Sequence, residues 1–434
     1  KHSKIQYQNR NMNKKTTFVA LCLAMSLGSW AQTKQGGISP QMLSEIQKLQ
    51  SQTPASKALF NAIAANNIDD LVKNHANQGP VDTHFSVETP AQSIHDQKSS
   101  GRCWMFSGFN VLRSNFAKAH GDSLKVELSH DYLFFYDQLE KANLMLQGVL
   151  DNAKKPIDDP RLQFFFRSPL NDGGTFCGVA DLAPKYGLVP MSAQPETYTA
   201  ENTSKLRSLL SSKLREYGLE LYRMAAAGKK QQAIAERKTE MLSTIYRMLS
   251  IALGEPVKEF TYQFRNKNGR AVGAPRRFTP KSFYDEVVGN PIKGTFIMVM
   301  NDPRRPYHKT YEVEYDRHVY DGTNWKYLNL PMDEIAKLAI ASLKDGKKMY
   351  SSYDVGKQFD RERGFSDTEN YDYASLFSTT FPMNKADRIA TFDSGSTHAM
   401  TLTAVDLDND GNPIKWKVEN SWGATNGHQG CIIM

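Results

Sequence analysis

The chain has 434 residues, 40% of them apolar and 23% charged, with a formal net charge of +8. That length exceeds one ordinary domain, and that balance excludes a disordered or collagen-like chain and supports at least one large buried core. The basic excess suits anionic partners, but it is spread along the chain with only short runs such as Lys229-Lys230 and Arg304-Arg305, so a nucleic-acid surface is not expected.

In chain order, Met12 to Ala31 reads as a secretory signal. Lys14 and Lys15 form a positive start, Phe18 to Leu27 an apolar stretch, and Ser29-Trp30-Ala31 a small-x-small cleavage site. The apolar run is too short to span a membrane. Cys22 lies inside it, and Leu21 before it fits a lipoprotein cleavage site poorly, so release to the periplasm or medium is expected rather than lipid anchoring. Removal of the signal leaves Cys103, Cys177 and Cys431. An odd count in an exported chain implies at least one free thiol, and no disulfide framework is indicated.

Residues 32–84 read as a polar N-terminal arm with helical patches at Met42 to Leu49 and Ala55 to Ile63. From Cys103 to about His120, Met105, Phe106, Phe109, Leu112 and Phe116 recur at helical spacing. A second helix follows Ser129 as its cap, through Tyr132, Phe135, Tyr136 and Leu139. Residues 85–203 thus form a helical region. Residues 204–255 carry two amphipathic stripes, Leu206, Leu210, Leu214, Tyr217, Leu221 and Met224, then Ile234, Met241, Ile245 and Met248, with Gly228 between them. They predict a helical hairpin packed on the core. Residues 256–434 turn toward β structure, with strands expected at Phe260 to Phe264, Gly294 to Met300, Tyr311 to Tyr315, Trp325 to Leu330 and Met400 to Val405.

Three blocks carry chemistry: Gln97-Lys98-Ser99-Ser100-Gly101-Arg102-Cys103-Trp104, then His398-Ala399-Met400, then Asn420-Ser421-Trp422-Gly423. A cysteine attacks as the thiolate, and a helix N-terminus or an imidazolium neighbour favours that form. Cys103 follows Ser99-Ser100-Gly101 and opens a periodic helix. A structural buried cysteine is the commoner case for a lone thiol, but the flanking Gln97 and the downstream blocks point the other way. Acyl transfer also needs donors at the developing oxyanion, for which the Gln97 amide and the Cys103 backbone N–H are candidates. Ten histidines compete for the role of base. His95 lies in the loop before Cys103, His120 and His130 read as helix-end or surface residues, and His318 lies among charged strand residues. His398 begins an apolar strand, and the strand from Ile414 to Glu419 returns to Asn420. A hairpin brings the two to one end, where the amide oxygen fixes the imidazole and Trp422 covers the pair. The intervening Asp406-Leu407-Asp408-Asn409-Asp410-Gly411 resembles half a calcium loop, but its twelfth position is Lys417, so a hairpin turn is expected. The chemistry calls for no metal and no organic cofactor.

These blocks resemble the papain superfamily, and within it the bleomycin hydrolase and aminopeptidase C branch. The resemblance runs from about Phe85 to the end and includes Asp172-Gly173-Gly174, Lys185-Tyr186-Gly187-Leu188-Val189-Pro190, Asp354-Val355-Gly356-Lys357 and Met383-Asn384-Lys385-Ala386. Arg102 before the cysteine and the 295-residue interval from Cys103 to His398 favour this branch, whose domains carry long helical insertions. The resemblance implies an α+β, papain-like fold with a helical lobe, a barrel-like β lobe and a cleft between them. It implies Cys103 as nucleophile, His398 as general base and acid, Asn420 as its orienter, Gln97 in the oxyanion hole, and Gly173, Gly174 and Trp422 against the substrate, whose backbone is added as a strand. Aminopeptidase action on short peptides and a hexamer with inward-facing sites are implied too. Asp96 and Cys431 depart from the branch, as does an export signal, since the branch is usually cytosolic. In the branch a C-terminal arm that holds the substrate's amino terminus continues beyond the point matching Met434, so the sequence is expected to be a fragment. The same triad would also serve an endopeptidase or a thiol acyltransferase, and the same groove an inactive peptide-binding protein.

Overall fold

The computed structural model describes residues 36–434 apart from 51–52 and 290–291. The expected signal segment lies outside the described residues. The chain divides after Leu71 into two compact units. Within the first, helices Pro40–Lys48 and Pro54–Ala65 each begin at a proline behind a cap. Ser39 accepts from the Met42 N–H, and Thr53 and Ser56 form a reciprocal capping box.

In the second unit, helix α1 (Cys103–Ala119) is buried along almost its whole length. Helix α2 (His130–Asp151) starts at Ser129, whose Oγ accepts from the Tyr132 N–H at 3.1 Å. Both starts match the sequence pattern, and α2 runs about three turns further than the pattern was followed. Helix α3 (Phe176–Tyr186) packs on α1 and α2. Helices α4 (Ser204–Ala226) and α5 (Gln231–Leu253) form the expected hairpin against α2, turning at Gly228, whose φ of +67° suits glycine. Leu206, Leu210, Leu214, Tyr217 and Leu221 of α4 are buried, as are Ile234, Met241, Ile245 and Leu249 of α5. These side chains join Trp104, Phe109, Phe134 and Phe135 in one apolar core.

The main sheet has seven strands: β1 (Val87–Glu88), β2 (Met349–Tyr353), β3 (Phe359–Asp360), β4 (Phe365–Ser366), β5 (His398–Leu407), β6 (Pro413–Glu419) and β7 (Cys431–Ile433). Their order is β1-β5-β6-β7-β4-β3, with β2 also paired to β5. Strand β5 is central: β2 covers the first half of one edge, β1 the second half, and β6 the other edge. Its side chains alternate. Ala399 joins the helical core and Thr401 bonds Asn110 and Ser107 of α1, whereas Met400 and Leu402 join a separate apolar cluster with Val418, Ile432 and Leu343. Asp408 caps the β5–β6 turn by accepting from the Asp410 and Asn412 N–H groups, and Gly411 has a φ of +83°. Asp408 to Asn412 therefore make the expected hairpin turn, while Asp406 and Leu407 still belong to β5.

The stretch read as β also contains helices Pro280–Val288 and Met332–Lys344. The first has a Thr279–Ser282 capping box and Pro280 at its first position, a signal that was legible but masked by the aromatic residues beside it.

Candidate active site

Cys103 is the first residue of α1, and the Arg102 carbonyl accepts from Met105 and Phe106 at 2.8 and 3.1 Å. The N–H groups of Cys103 and Trp104 face the sulfur, and so does the Ala399 N–H, next in chain to His398. The start of β5 is thereby held against the tip of α1. Burial pushes the thiol above the ordinary cysteine range, and these three N–H groups offset that only in part. The helix-tip effect expected from sequence is present but is outweighed by desolvation, so the resting sulfur carries its proton.

His398 and Asn420 stand at the same end of the β5–β6 hairpin. The His398 Nε2–H donates to Asn420 Oδ1 at 2.7 Å, and that oxygen also accepts from the Ser421 N–H at 2.8 Å. The second bond fixes which end of the amide faces the ring, and leaves Nδ1 as the imidazole's lone-pair nitrogen. The Trp422 ring stacks on the imidazole at 4.8 Å and 27°. Burial lowers the His398 pKa from its ordinary value, with the Asn420 bond opposing in part, so the base is neutral at pH 7.

Gln97 is clamped to the same loop. Its N–H donates to the Ser421 carbonyl at 2.8 Å, and its Oε1 accepts from Ser421 Oγ at 2.5 Å. Its Nε2 donates to the Ser100 carbonyl, leaving one amide N–H for a ligand. Gly173 and Gly174 precede α3. The Gly101 N–H donates to Asp172 Oδ2 at 2.7 Å and the Trp104 indole to the Asp172 carbonyl at 3.0 Å, which ties this segment to the cysteine turn. Burial raises the Asp172 pKa, but bonds from Thr203 and Gly101 outweigh it and hold the carboxyl ionised. A Cβ on Gly101 would fall 2.6 Å from Asp172 Oδ1, so the tight approach requires glycine. Gln97, Cys103, His398, Asn420 and Trp422 therefore meet at one place, with the Gly173–Gly174 segment bonded to it through Asp172.

Sequence reasoning missed several supports. Behind the glycines, Asp137 accepts from His318 Nδ1 at 2.5 Å and from Lys141 at 2.9 Å, and Lys141 also donates to the Gly173 carbonyl at 2.6 Å. His318, read as lying among charged strand residues, is 2% exposed. His130, expected at a helix end or on the surface, does begin α2 but is 1% exposed and stacks on Phe106 at 3.6 Å. Arg102 is wholly buried and pairs with Glu196 at 2.7 Å. The four-residue step from Asp137 to Lys141 on α2 was the one readable hint. Cys177 and Cys431 are free thiols like Cys103. Among the described residues no cluster of His, Cys, Asp and Glu has the makings of a metal site.

The model of the Peptidase C1-like family matches residues 37–434. The chain belongs to the Peptidase C1-like family. It is 38% identical over 387 residues to aminopeptidase C of Lactobacillus delbrueckii subsp. lactis, covering 88% of this chain and 85% of that one. It is 38% identical over 362 residues to human bleomycin hydrolase, covering 80% and 78%. The crystal structure of PepW from Lactobacillus rhamnosis HN001 matches with a TM-score of 0.85 at 35% identity, over 92% of this chain and 89% of that chain. The α+β protein is thus a cysteine peptidase of the branch that the sequence blocks resemble.

Proposed function

We propose that the chain is an aminopeptidase that cleaves short peptides through a Cys103, His398, Asn420 triad and a thioester intermediate. The observation that carries the reading is the His398 Nε2–Asn420 Oδ1 bond, which leaves Nδ1 as the lone-pair nitrogen, on the residue next in chain to Ala399, whose N–H faces the Cys103 sulfur. In the reaction, Nδ1 takes the thiol proton as sulfur attacks the peptide carbonyl carbon. The oxyanion accepts from the Cys103 N–H and the remaining Gln97 amide N–H. The C–N bond then breaks and Nδ1 hands its proton to the departing amine. Water, deprotonated by Nδ1, attacks the thioester, and the acid leaves as sulfur is reprotonated. Trp422 excludes water from the imidazole, and the Gly173–Gly174 backbone receives the substrate backbone as an added strand.

Two lobes meeting at this cleft are the architecture that goes with the mechanism, and the two separate apolar clusters support it. The Met12-to-Ala31 pattern supports an exported enzyme, and the family resemblance supports a homo-hexamer. Aminopeptidase action is tested with paired substrates. Free-amino peptides should be hydrolysed and amino-blocked ones should not, and Cys103→Ala should abolish the cleavage. Equal rates on blocked peptides would turn the reading to an endopeptidase.

A further inference from the structure

A cavity of about 550 Å³ adjoins the site, lined by Gln97, Lys98, Arg361, Trp422 and Asn426 among others. Trp422 covers His398, the group that protonates the leaving amine, and the Gly173–Gly174 segment takes no part in this lining. The cavity therefore lies on the side where the leaving fragment departs. Arg361 occupies the turn between β3 and β4. Its guanidinium carbon lies 5.2 Å from the Trp422 ring centroid, and the side chain is exposed. Among the described residues no carboxylate pairs with it. The nearby acids are engaged elsewhere: Asp96 with Lys98 at 2.7 Å, Glu362 with Lys73 at 3.4 Å, and Asp360 with the N–H groups of Glu362 and Arg363.

Trp422 bridges Arg361 and His398, so the guanidinium is at most about 10 Å from the imidazole. An extended chain spans roughly 3.3–3.6 Å per residue. With its amine at the imidazole, a leaving fragment of one to three residues places its terminal carboxylate at Arg361. A planar guanidinium matches a carboxylate two bonds at a time, and the Trp422 face holds it in place. We infer that this cavity is a subsite for the C-terminal carboxylate of the substrate, read by Arg361, which makes free-acid peptides of two to four residues the preferred substrates. The inference rests on the aminopeptidase reading and names its substrate class.

The test compares kcat/KM for one tripeptide as the free acid and as its C-terminal amide. The wild-type protein should favour the acid by about tenfold, the factor that one charge-assisted pair supplies. Arg361→Gln should bring that ratio to near one, Arg361→Glu should invert it, and Arg361→Lys should restore part of it. Titration of the Cys103 thiol in each variant confirms that equal amounts of competent enzyme are compared. A wild-type ratio near one, or a ratio that survives Arg361→Gln, would overturn the inference and leave the peptidase standing. Cleavage of neither peptide would overturn the aminopeptidase reading and this inference with it.

Discussion

His398 and His318 each donate a ring N–H to a side-chain oxygen, Asn420 Oδ1 at 2.7 Å and Asp137 Oδ1 at 2.5 Å. Each also lies against a tryptophan, Trp422 at 4.8 Å and Trp104 at 4.4 Å. The difference is in what remains. The second nitrogen of His318 accepts from the Thr175 N–H at 3.4 Å, and its partner is an ionised carboxylate shared with Lys141. Burial and the Lys141 charge lower the His318 pKa, and Asp137 opposes them in part, so the ring is neutral, fully used and sealed. Among the described residues the second nitrogen of His398 has no such partner, and its oxygen partner is a neutral amide. A histidine, an oxygen and a tryptophan do not make a catalytic base. A spare lone pair at the end of the strand that meets the nucleophile does.

That contrast breaks most visibly by deletion. His398→Ala should lower kcat/KM by about 10³–10⁴-fold while the unfolding midpoint moves by only a few degrees. His318→Ala should do the reverse. It removes a buried hydrogen bond and leaves a cavity, for a loss of about 2–3 kcal/mol in denaturant unfolding. The folded fraction should keep activity within about tenfold of the wild type.

A gentler change reaches the same cluster through the glycines. A Cβ on Gly174 would sit 2.1 Å from His318 Cε1, whereas one on Gly173 would meet only Asn171 Oδ1, at 3.9 Å. Gly174→Ala should therefore cost about 1–3 kcal/mol by overpacking, and Gly173→Ala less than 1 kcal/mol.

The smallest effect is on pH. His398 must be neutral to act, and burial lowers its pKa, so the acid limb of kcat/KM should lie below the ordinary histidine value of about 6.5. Asn420→Ala removes the bond that raises that pKa and should move the limb lower still. Stability has the matching sign. As pH falls below about 6.5 the unfolded chain binds protons that folded His398, His318 and His130 resist, so stability drops with acidification. Asp131, raised to about 6 by burial, works in the opposite sense, since its folded form holds a proton that the unfolded form has released.

Local pattern carried much of this molecule. The apolar period after Cys103, the Ser129 cap, the stripes of α4 and α5, and the His398-to-Asn420 hairpin are set by neighbours in sequence, and they were readable. The supports were not. His318 meets Asp137 across 181 residues and Arg102 meets Glu196 across 94, so only the tertiary fold pairs them. The Cys103 thiol shows the same division. Its helix N-terminus is written in the sequence, but the burial that overrides it comes from the tertiary fold, which brings Ala399 of β5 to the sulfur from 296 residues away.

The most direct test is site-resolved alkylation at pH 7 with a small electrophile, read by mass spectrometry for each cysteine. The account expects Cys103 to react fastest, ahead of Cys177 and Cys431, and to lose that advantage in His398→Ala, where reaction should wait for alkaline pH. Equal labelling of the three thiols, or a Cys103 rate indifferent to His398, would contradict it.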